Sequence, residues 1–332
     1  MSPSPSDSAN TGNSPLSGQA PYANTPYPNT DDARPRDLAG RRVGWVGTGV
    51  MGSSMAGHLL DAGAQVVAMN RSPKKLESLV QRGVKAVGTP REVAAASEIV
   101  FTIVGYPDDV REVYLDPNKG LFAAPAADRV YVDMTTSSPT LAVELAAAAQ
   151  QRGEAALDAP VSGGDVGARG GTLSIMVGGE ASAFDRVLPC LRHLGETIVL
   201  QGGPGSGQHT KMVNQTLIAG GMVAMCEALV YASAAGLDPA TVLQSVRGGA
   251  AGSWSLNNLA PRILRDDYEP GFYVEHFLKD MKIALDEAER MQISLPGLAL
   301  AKQLYQSVIA AGGARQGTQA LYLALKRLNA KT

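Results

Sequence analysis

From Arg42 onward, short apolar runs alternate with longer stretches in which apolar residues recur at helical spacing. That alternation is the mark of strands and crossover helices built around a mostly parallel sheet. Residues 43–46, 65–69, 99–104 and 129–132 are near-continuous apolar runs, long enough to be strands buried on both faces. Residues 51–61 are predicted to form a helix. A second helix is expected to open at Ser72-Pro73, an N-cap residue followed by a proline whose missing N–H is no loss in a first turn. Residues 140–152 are Ala-rich and helical, and further strands are expected at 155–157, 173–177 and 197–200, with a helix near 181–191.

Beyond Gln201 the pattern changes. Gly202-Gly203-Pro204-Gly205-Ser206-Gly207 interrupts it, and almost everything after has helical periodicity. Residues 207–235 read as one long, mostly apolar helix, followed by helical segments at 239–246, 279–291, 296–311 and 319–325. The chain therefore divides into an α/β domain at 41–203 and an all-α domain at 204–332. Residues 1–40 stand apart, with 7 of the chain's 20 prolines among Ser, Asn, Thr and Gly. Such a segment buries too little apolar surface to offset its ordering entropy, and a disordered tail is expected there.

The first strand runs into Gly47-Thr48-Gly49-Val50-Met51-Gly52, a G-x-G-x-x-G that opens a helix and is followed by a second strand. In that setting Gly47 permits a tight turn, Gly49 lets the backbone approach a pyrophosphate, and Gly52 lets helix and strand pack closely. The expected fold is a doubly wound Rossmann domain holding a pyridine dinucleotide. An Asp or Glu usually ends the second strand of NAD sites, but here the strand runs into Asn70-Arg71-Ser72. Arg71 can pair with a 2′-phosphate, and Asn70 and Ser72 can donate to it. The cofactor predicted is NADP rather than NAD.

Charge and composition narrow the field further. The 29 Lys and Arg nearly balance 31 Asp and Glu, with no basic stripe to suggest nucleic acid. The four histidines and two cysteines lack metal-ligand spacing, so no metal is expected, and Cys190 and Cys226 read as free buried thiols. With neither a signal-type run nor an uninterrupted membrane-length apolar stretch, a soluble cytoplasmic protein is expected.

Three segments carry polar or glycine residues that a purely structural sequence would not need. Asp133-Met134-Thr135-Thr136-Ser137-Ser138-Pro139 follows a strand, at the sheet edge where ligands sit in doubly wound folds. Asp158-Ala159-Pro160-Val161-Ser162-Gly163-Gly164 leads into a glycine-rich loop reaching Gly171, whose amides could hold a carboxylate. Lys211, Asn214 and Gln215 fall on one face of the long helix. An ammonium and two amides on an apolar helix are costly to bury without a purpose. Trp254, between small polar residues, either shapes a substrate pocket or packs at a helix start. His209, two residues before Lys211, points elsewhere and is read as structural.

With these pieces in order, the sequence resembles the β-hydroxyacid dehydrogenase family. The matching motifs are the glycine turn with Met55-Ala56, residues 133–139 and 158–164, Lys211-Met212-Val213-Asn214-Gln215, and Lys279-Asp280-Met281. They span Arg42 to about Lys326 and leave only the first 40 residues outside. The resemblance implies a Rossmann domain, a long interdomain helix and an all-α domain that makes homodimers or homotetramers. It implies that Lys211 is the general acid–base and that Ser137, Ser162, Gly163 and Gly164 hold a substrate carboxylate. Asn214 and Gln215 would orient the reacting oxygen. Thr136, Val104, Gly105 and Lys279 would lie beside the cofactor. The substrate would be a small carboxylate-bearing aldehyde or its hydroxy acid.

The family often has Asn-Asn where this chain has Asn214-Gln215, which leans toward semialdehyde and glyoxylate reductases. Gly105-Tyr106-Pro107 stands where many relatives carry Leu-Pro, altering the loop beside the cofactor. An imine reductase of the same architecture is a competing reading, though such enzymes typically lack the lysine. A non-catalytic NADP-binding module is another, and a 6-phosphogluconate dehydrogenase would need a larger all-α domain.

Overall fold

The computed structural model describes residues 37–329. The expectation for the N-terminal tail falls mostly outside them. Its last residues are packed: Leu38 is buried, and Asp37 meets His193 Nε2 at 2.6 Å.

Nine strands form one sheet: β1 Arg42–Val46, β2 Gln65–Met69, β3 Lys85–Ala86, β4 Ile99–Thr102, β5 Val130–Asp133, β6 Ala155–Asp158, β7 Val161–Ser162, β8 Leu173–Gly178 and β9 Gly195–Gly202. Their order is β3-β2-β1-β4-β5-β6-β8-β7, with β9 added on β8. From β3 to β6 every pairing is parallel, while β8 runs antiparallel to both β6 and β7. The chain thus starts at β1, winds outward one way through β2 and β3, and returns to continue from β4 on the other side. The crevice between the C-terminal ends of β1 and β4 is the switch point where doubly wound sheets bind ligands. Strands β4 and β5 are buried along their whole length, as continuous apolar runs demand when helices cover both faces. One face packs around Trp45, Phe101, Leu59 and Phe184; the other packs around Val100, Tyr114 and Tyr131.

Two readings of the sequence need correction. The helix expected at Ser72-Pro73 begins as a 3-10 turn, Pro73–Leu76, and Ser72 makes no side-chain capping bond. The glycine-rich segment expected as a loop to Gly171 is instead a helix, Gly164–Gly170. Its flanking Gly163 and Gly171 take positive φ values that start and stop it, and Arg169 pairs with Asp165 one turn earlier at 2.7 Å.

The long helix runs Ser206–Ala234, within one residue of its expected span at each end. By length and composition it could cross a membrane, but here it is the axis of the helical domain. Met222, Met225, Cys226 and Leu229 on it meet Phe277, Met281 and Tyr305 from the helices Val274–Arg290 and Pro296–Ala310. The opposite side of the helix leaves Val213, Leu217 and Tyr231 exposed.

Candidate active site

The glycine turn behaves as its spacing predicts. Gly47 has φ +96°, and a Cβ there would lie 2.1 Å from the Ile103 carbonyl oxygen. A Cβ at Gly52 would meet the Gly47 carbonyl oxygen at the same distance, whereas one at Gly49 would meet nothing within 4 Å. Gly47 and Gly52 are therefore required by packing, and Gly49 faces open space above a helix N-terminus. That helix, Gly52–Asp61, has no side-chain cap and no acidic residue in its first turn. Its amides and dipole are available to an anion. These residues fit a dinucleotide pyrophosphate.

Beside the turn, Thr48 is buried, with Val50 exposed and Met51 half-buried above it. Asn70 Nδ2 donates to Thr48 Oγ1 at 2.7 Å, and Asn70 Oδ1 accepts from the Ser72 amide at 3.2 Å. The Asn70 side chain thus braces the loop, leaving Arg71 and Ser72 exposed at its tip. Across the crevice the Val104 amide donates to Thr135 Oγ1, and Gly105 follows it, half-buried.

At the far end of the crevice, the loop after β5 is held from three directions. Gln208 Nε2 donates to the Thr135 carbonyl at 2.7 Å, and its Oε1 accepts from the Ser137 amide at 2.9 Å. Lys279 Nζ donates to the Thr136 carbonyl at 2.5 Å. From within the sheet, Asp133 Oδ1 accepts from Thr102 Oγ1 and the Thr135 amide. Burial pushes the Asp133 carboxyl up to about 6, and those two hydrogen bonds oppose the rise. Ser137 Oγ, by contrast, is buried without a hydrogen-bond partner among the described residues. Buried hydroxyls rarely stay unpaired, and this one is available to a ligand atom in the crevice.

Lys211 lies one turn beyond Gln208 on the long helix, and Gln215 one turn beyond Lys211; all three are buried. Burial lowers the Lys211 ammonium from its ordinary 10.5 to about 8; Asp280 nearby works against the fall and Lys279 adds to it. Asp280 is itself buried, receiving Gln215 Nε2 at 2.6 Å and Lys279 Nζ at 3.0 Å. Gln215 Oε1 accepts from Asn214 Nδ2 at 2.8 Å. Both ends of the Gln215 amide are therefore engaged: it is a strut between two helices that aligns Asn214. His209 is exposed on the same helix.

Ser162 sits half-buried on β7, paired in register with Ser174, and Gly163 (φ +127°) and Gly164 (φ +61°) follow it. Trp254 opens the short helix Trp254–Asn258 with 66% of its surface exposed, so it does not serve as ordinary core packing.

Three positioning residues were not assigned from sequence. Gln208 fixes the β5 loop and Asp280 balances the two lysines. Asp158, at the end of β6, accepts from the amides of Gly205 at 2.8 Å and Gln208 at 2.7 Å. Gly205, at the N-cap, has no side chain to perform that service, and Asp158 supplies it from across the domain junction. Only the polar residues themselves, standing in apolar segments, hinted at these roles.

Comparison with known proteins settles the family. Residues 42–203 match the NAD binding domain of 6-phosphogluconate dehydrogenase, and residues 205–325 match the family described as NAD-binding of NADP-dependent 3-hydroxyisobutyrate dehydrogenase. The chain belongs to the β-hydroxyacid dehydrogenase family. Within it, the chain is 50% identical over 282 residues to an uncharacterized oxidoreductase of Bacillus subtilis, covering 85% of this chain and 98% of that one. It is 49% identical to a probable mitochondrial 3-hydroxyisobutyrate dehydrogenase-like protein of Arabidopsis thaliana (87% and 86% covered). It is 39% identical to 2-hydroxy-3-oxopropionate reductase of Escherichia coli (86% and 97% covered). Among solved structures, 3-hydroxyisobutyrate dehydrogenase of Mycobacterium tuberculosis with L-serine superposes with a TM-score of 0.79 at 30% identity, over 86% of this chain and 99% of that one. A structure holding NADP+ and 2-OPP superposes with a TM-score of 0.78 at 25% identity, over 85% and 99%. The protein is thus an oxidoreductase of this family, with an N-terminal α/β Rossmann domain and a C-terminal helical domain.

Proposed function

We propose that the protein is an NADP-dependent oxidoreductase that interconverts a small β-hydroxy acid and its semialdehyde or oxo acid. The observation that carries this reading is the buried Lys211, with an ammonium value lowered to about 8, one helical turn from the residue that fixes Ser137. Ser137 Oγ needs a partner, and a substrate carboxylate would satisfy it together with Ser162 and the amides of Gly163 and Gly164. Asn214, aligned by Gln215, orients the reacting oxygen. The nicotinamide, when bound, supplies or receives the hydride. In the reducing direction Lys211 Nζ gives a proton to the carbonyl oxygen as it becomes the alcohol, and is reprotonated from solvent. In the reverse direction the neutral amine takes the hydroxyl proton. Burial brings this ammonium near the balance point between its two forms, with Asp280 opposing the fall and Lys279 adding to it.

NADP is preferred on this reading because Arg71 stands exposed after β2, and that strand ends in Asn70-Arg71-Ser72 with no Asp or Glu of its own to receive a ribose 2′-hydroxyl. A relative of similar fold holding NADP+ lends support. The 3-hydroxyisobutyrate and 2-hydroxy-3-oxopropionate chemistry named for the relatives supports this substrate class. The exposed ridge of Val213, Leu217 and Tyr231 supports a homodimer or a larger homo-oligomer.

The test is oxidation of NADPH and NADH, followed by absorbance, with glyoxylate, succinic, tartronate and methylmalonate semialdehydes and a cyclic imine. Turnover of a carboxylate-bearing aldehyde with NADPH preferred is the expected result. Turnover confined to the imine would replace this reading with an imine reductase. Tight NADPH binding with no turnover would leave only a binding module.

A further inference from the structure

The residue expected to hold the 2′-phosphate is already engaged. Arg71 Nη1 meets Asp109 Oδ1 at 2.8 Å, with the Arg71 side chain 73% exposed and that of Asp109 only 16%. Asp109 is the better fixed of the two. It lies in the first turn of the helix Pro107–Leu115, and its other oxygen, Oδ2, accepts from the Tyr106 amide at 3.1 Å.

The topology shows where this pair lies. Arg71 follows β2 and Asp109 follows β4, and those strands flank β1 on its two sides. Strand β1 ends at the glycine turn, so the ion pair bridges the crevice beyond the C-terminal end of β1, at the switch point of the sheet. A cofactor threading from Gly49 toward the end of β2 runs past this bridge.

We infer that Asp109 is a cofactor-specificity residue: it occupies Arg71 in the free protein, and its carboxylate competes with a 2′-phosphate for the same guanidinium. This rests on the NADP reading of Arg71. The competition is an exchange of one anion for another on one cation. An exposed ion pair is weak and opens readily. A phosphate, with more negative charge and three acceptor oxygens, displaces a single carboxylate from a guanidinium fork. Asp109 then remains nearby as a like charge. With a plain 2′-hydroxyl in that place, nothing calls Arg71 away and the pair persists. Asp109 therefore moderates NADPH affinity and narrows the gap between the two cofactors, leaving NADH almost untouched.

The experiment is titration of NADPH and of NADH into full-length protein by calorimetry, without substrate, for wild type, Asp109→Asn, Arg71→Gln and the double variant. Asparagine keeps an oxygen acceptor for the Tyr106 amide, and Asp109→Ser repeats the measurement with a different helix-start residue. Asp109→Asn is expected to tighten NADPH roughly threefold to tenfold while NADH moves less than about twofold. In the Arg71→Gln background that gain should shrink by half or more. No gain, an equal gain for both cofactors, or a gain undiminished without Arg71 each overturns the inference. The underlying reading fails differently: if Arg71→Gln leaves NADPH affinity unchanged, Arg71 does not hold the phosphate and the inference falls with it. If Arg71→Gln weakens NADPH and Asp109→Asn does nothing, only the role of Asp109 falls.

Discussion

Lys211 carries a charge in a place that disfavours charge, and two consequences follow. Its shift from 10.5 to about 8 corresponds to roughly 3 kcal/mol against the ammonium. Lys211→Met should therefore abolish turnover by about two to four orders of magnitude, leave NADPH binding intact, and raise the thermal midpoint at pH 7. A variant that loses turnover and also melts earlier would argue that the lysine is structural. The folded value lies below the unfolded one, so the folded state binds this proton less. The wild type should regain stability relative to the Met variant as pH rises from about 8 toward 10.5. The same titration governs rate: kcat/KM for reduction should fall above about pH 8, and for oxidation below it. Profiles flat through this range would remove Lys211 from the proton transfer. Spacing on one helix face, together with the family resemblance, made Lys211 legible in the sequence. Gln208 and Asp280 were not, because their partners Ser137 and Gln215 lie 71 and 65 residues away. A polar residue in an apolar helix announces a partner without saying which one.

Elements with strong period or strong punctuation are legible in the sequence. The long helix was bounded to within a residue, since its apolar composition and the glycine break before it leave little choice. The two-residue strands β3 and β7 carry no period to detect. The helix Gly164–Gly170 escaped because three of its seven residues are glycine, the poorest non-proline helix former. Tertiary packing and the Asp165–Arg169 pair outweigh that propensity. The junction between domains is the least legible element and the most constrained. Asp158 receives the first amides of the long helix, and a Cβ at Gly207 would lie 2.3 Å from the Met176 carbonyl oxygen. Asp158→Ala should cost about 2–3 kcal/mol, the loss of a buried acceptor serving several amides, read from urea unfolding. A cost below about 0.5 kcal/mol would show that the helix start is satisfied some other way.

For the molecule as a whole, the doubly wound α/β class and the helical domain after it followed from the alternating pattern, because a G-x-G-x-x-G after a first strand allows few folds. The antiparallel pairing of β8 did not show in it. What the pattern could not show is which surfaces stay uncovered. Val213, Leu217 and Tyr231 are 61%, 72% and 74% exposed along one helix, a disposition unusual for a surface facing only water. Leu217→Asp is expected to reduce the mass measured by light scattering toward that of one chain. An unchanged mass, with the same elution, would locate the interface elsewhere or leave the protein monomeric.

Asp158 also sets a rule for recombining parts of this protein. A natural place to splice it to a relative is the glycine-rich joint around Pro204, yet the carboxylate and the amides it serves stand on opposite sides of that joint. Either half, transplanted alone, carries an unanswered acceptor or unanswered donors into a buried seam. A hybrid should fold when the donor of the nucleotide half brings an acidic residue at this strand end and the donor of the helical half brings small residues to meet it. The two halves are separable as modules on paper, but they are inherited as a matched lock and key.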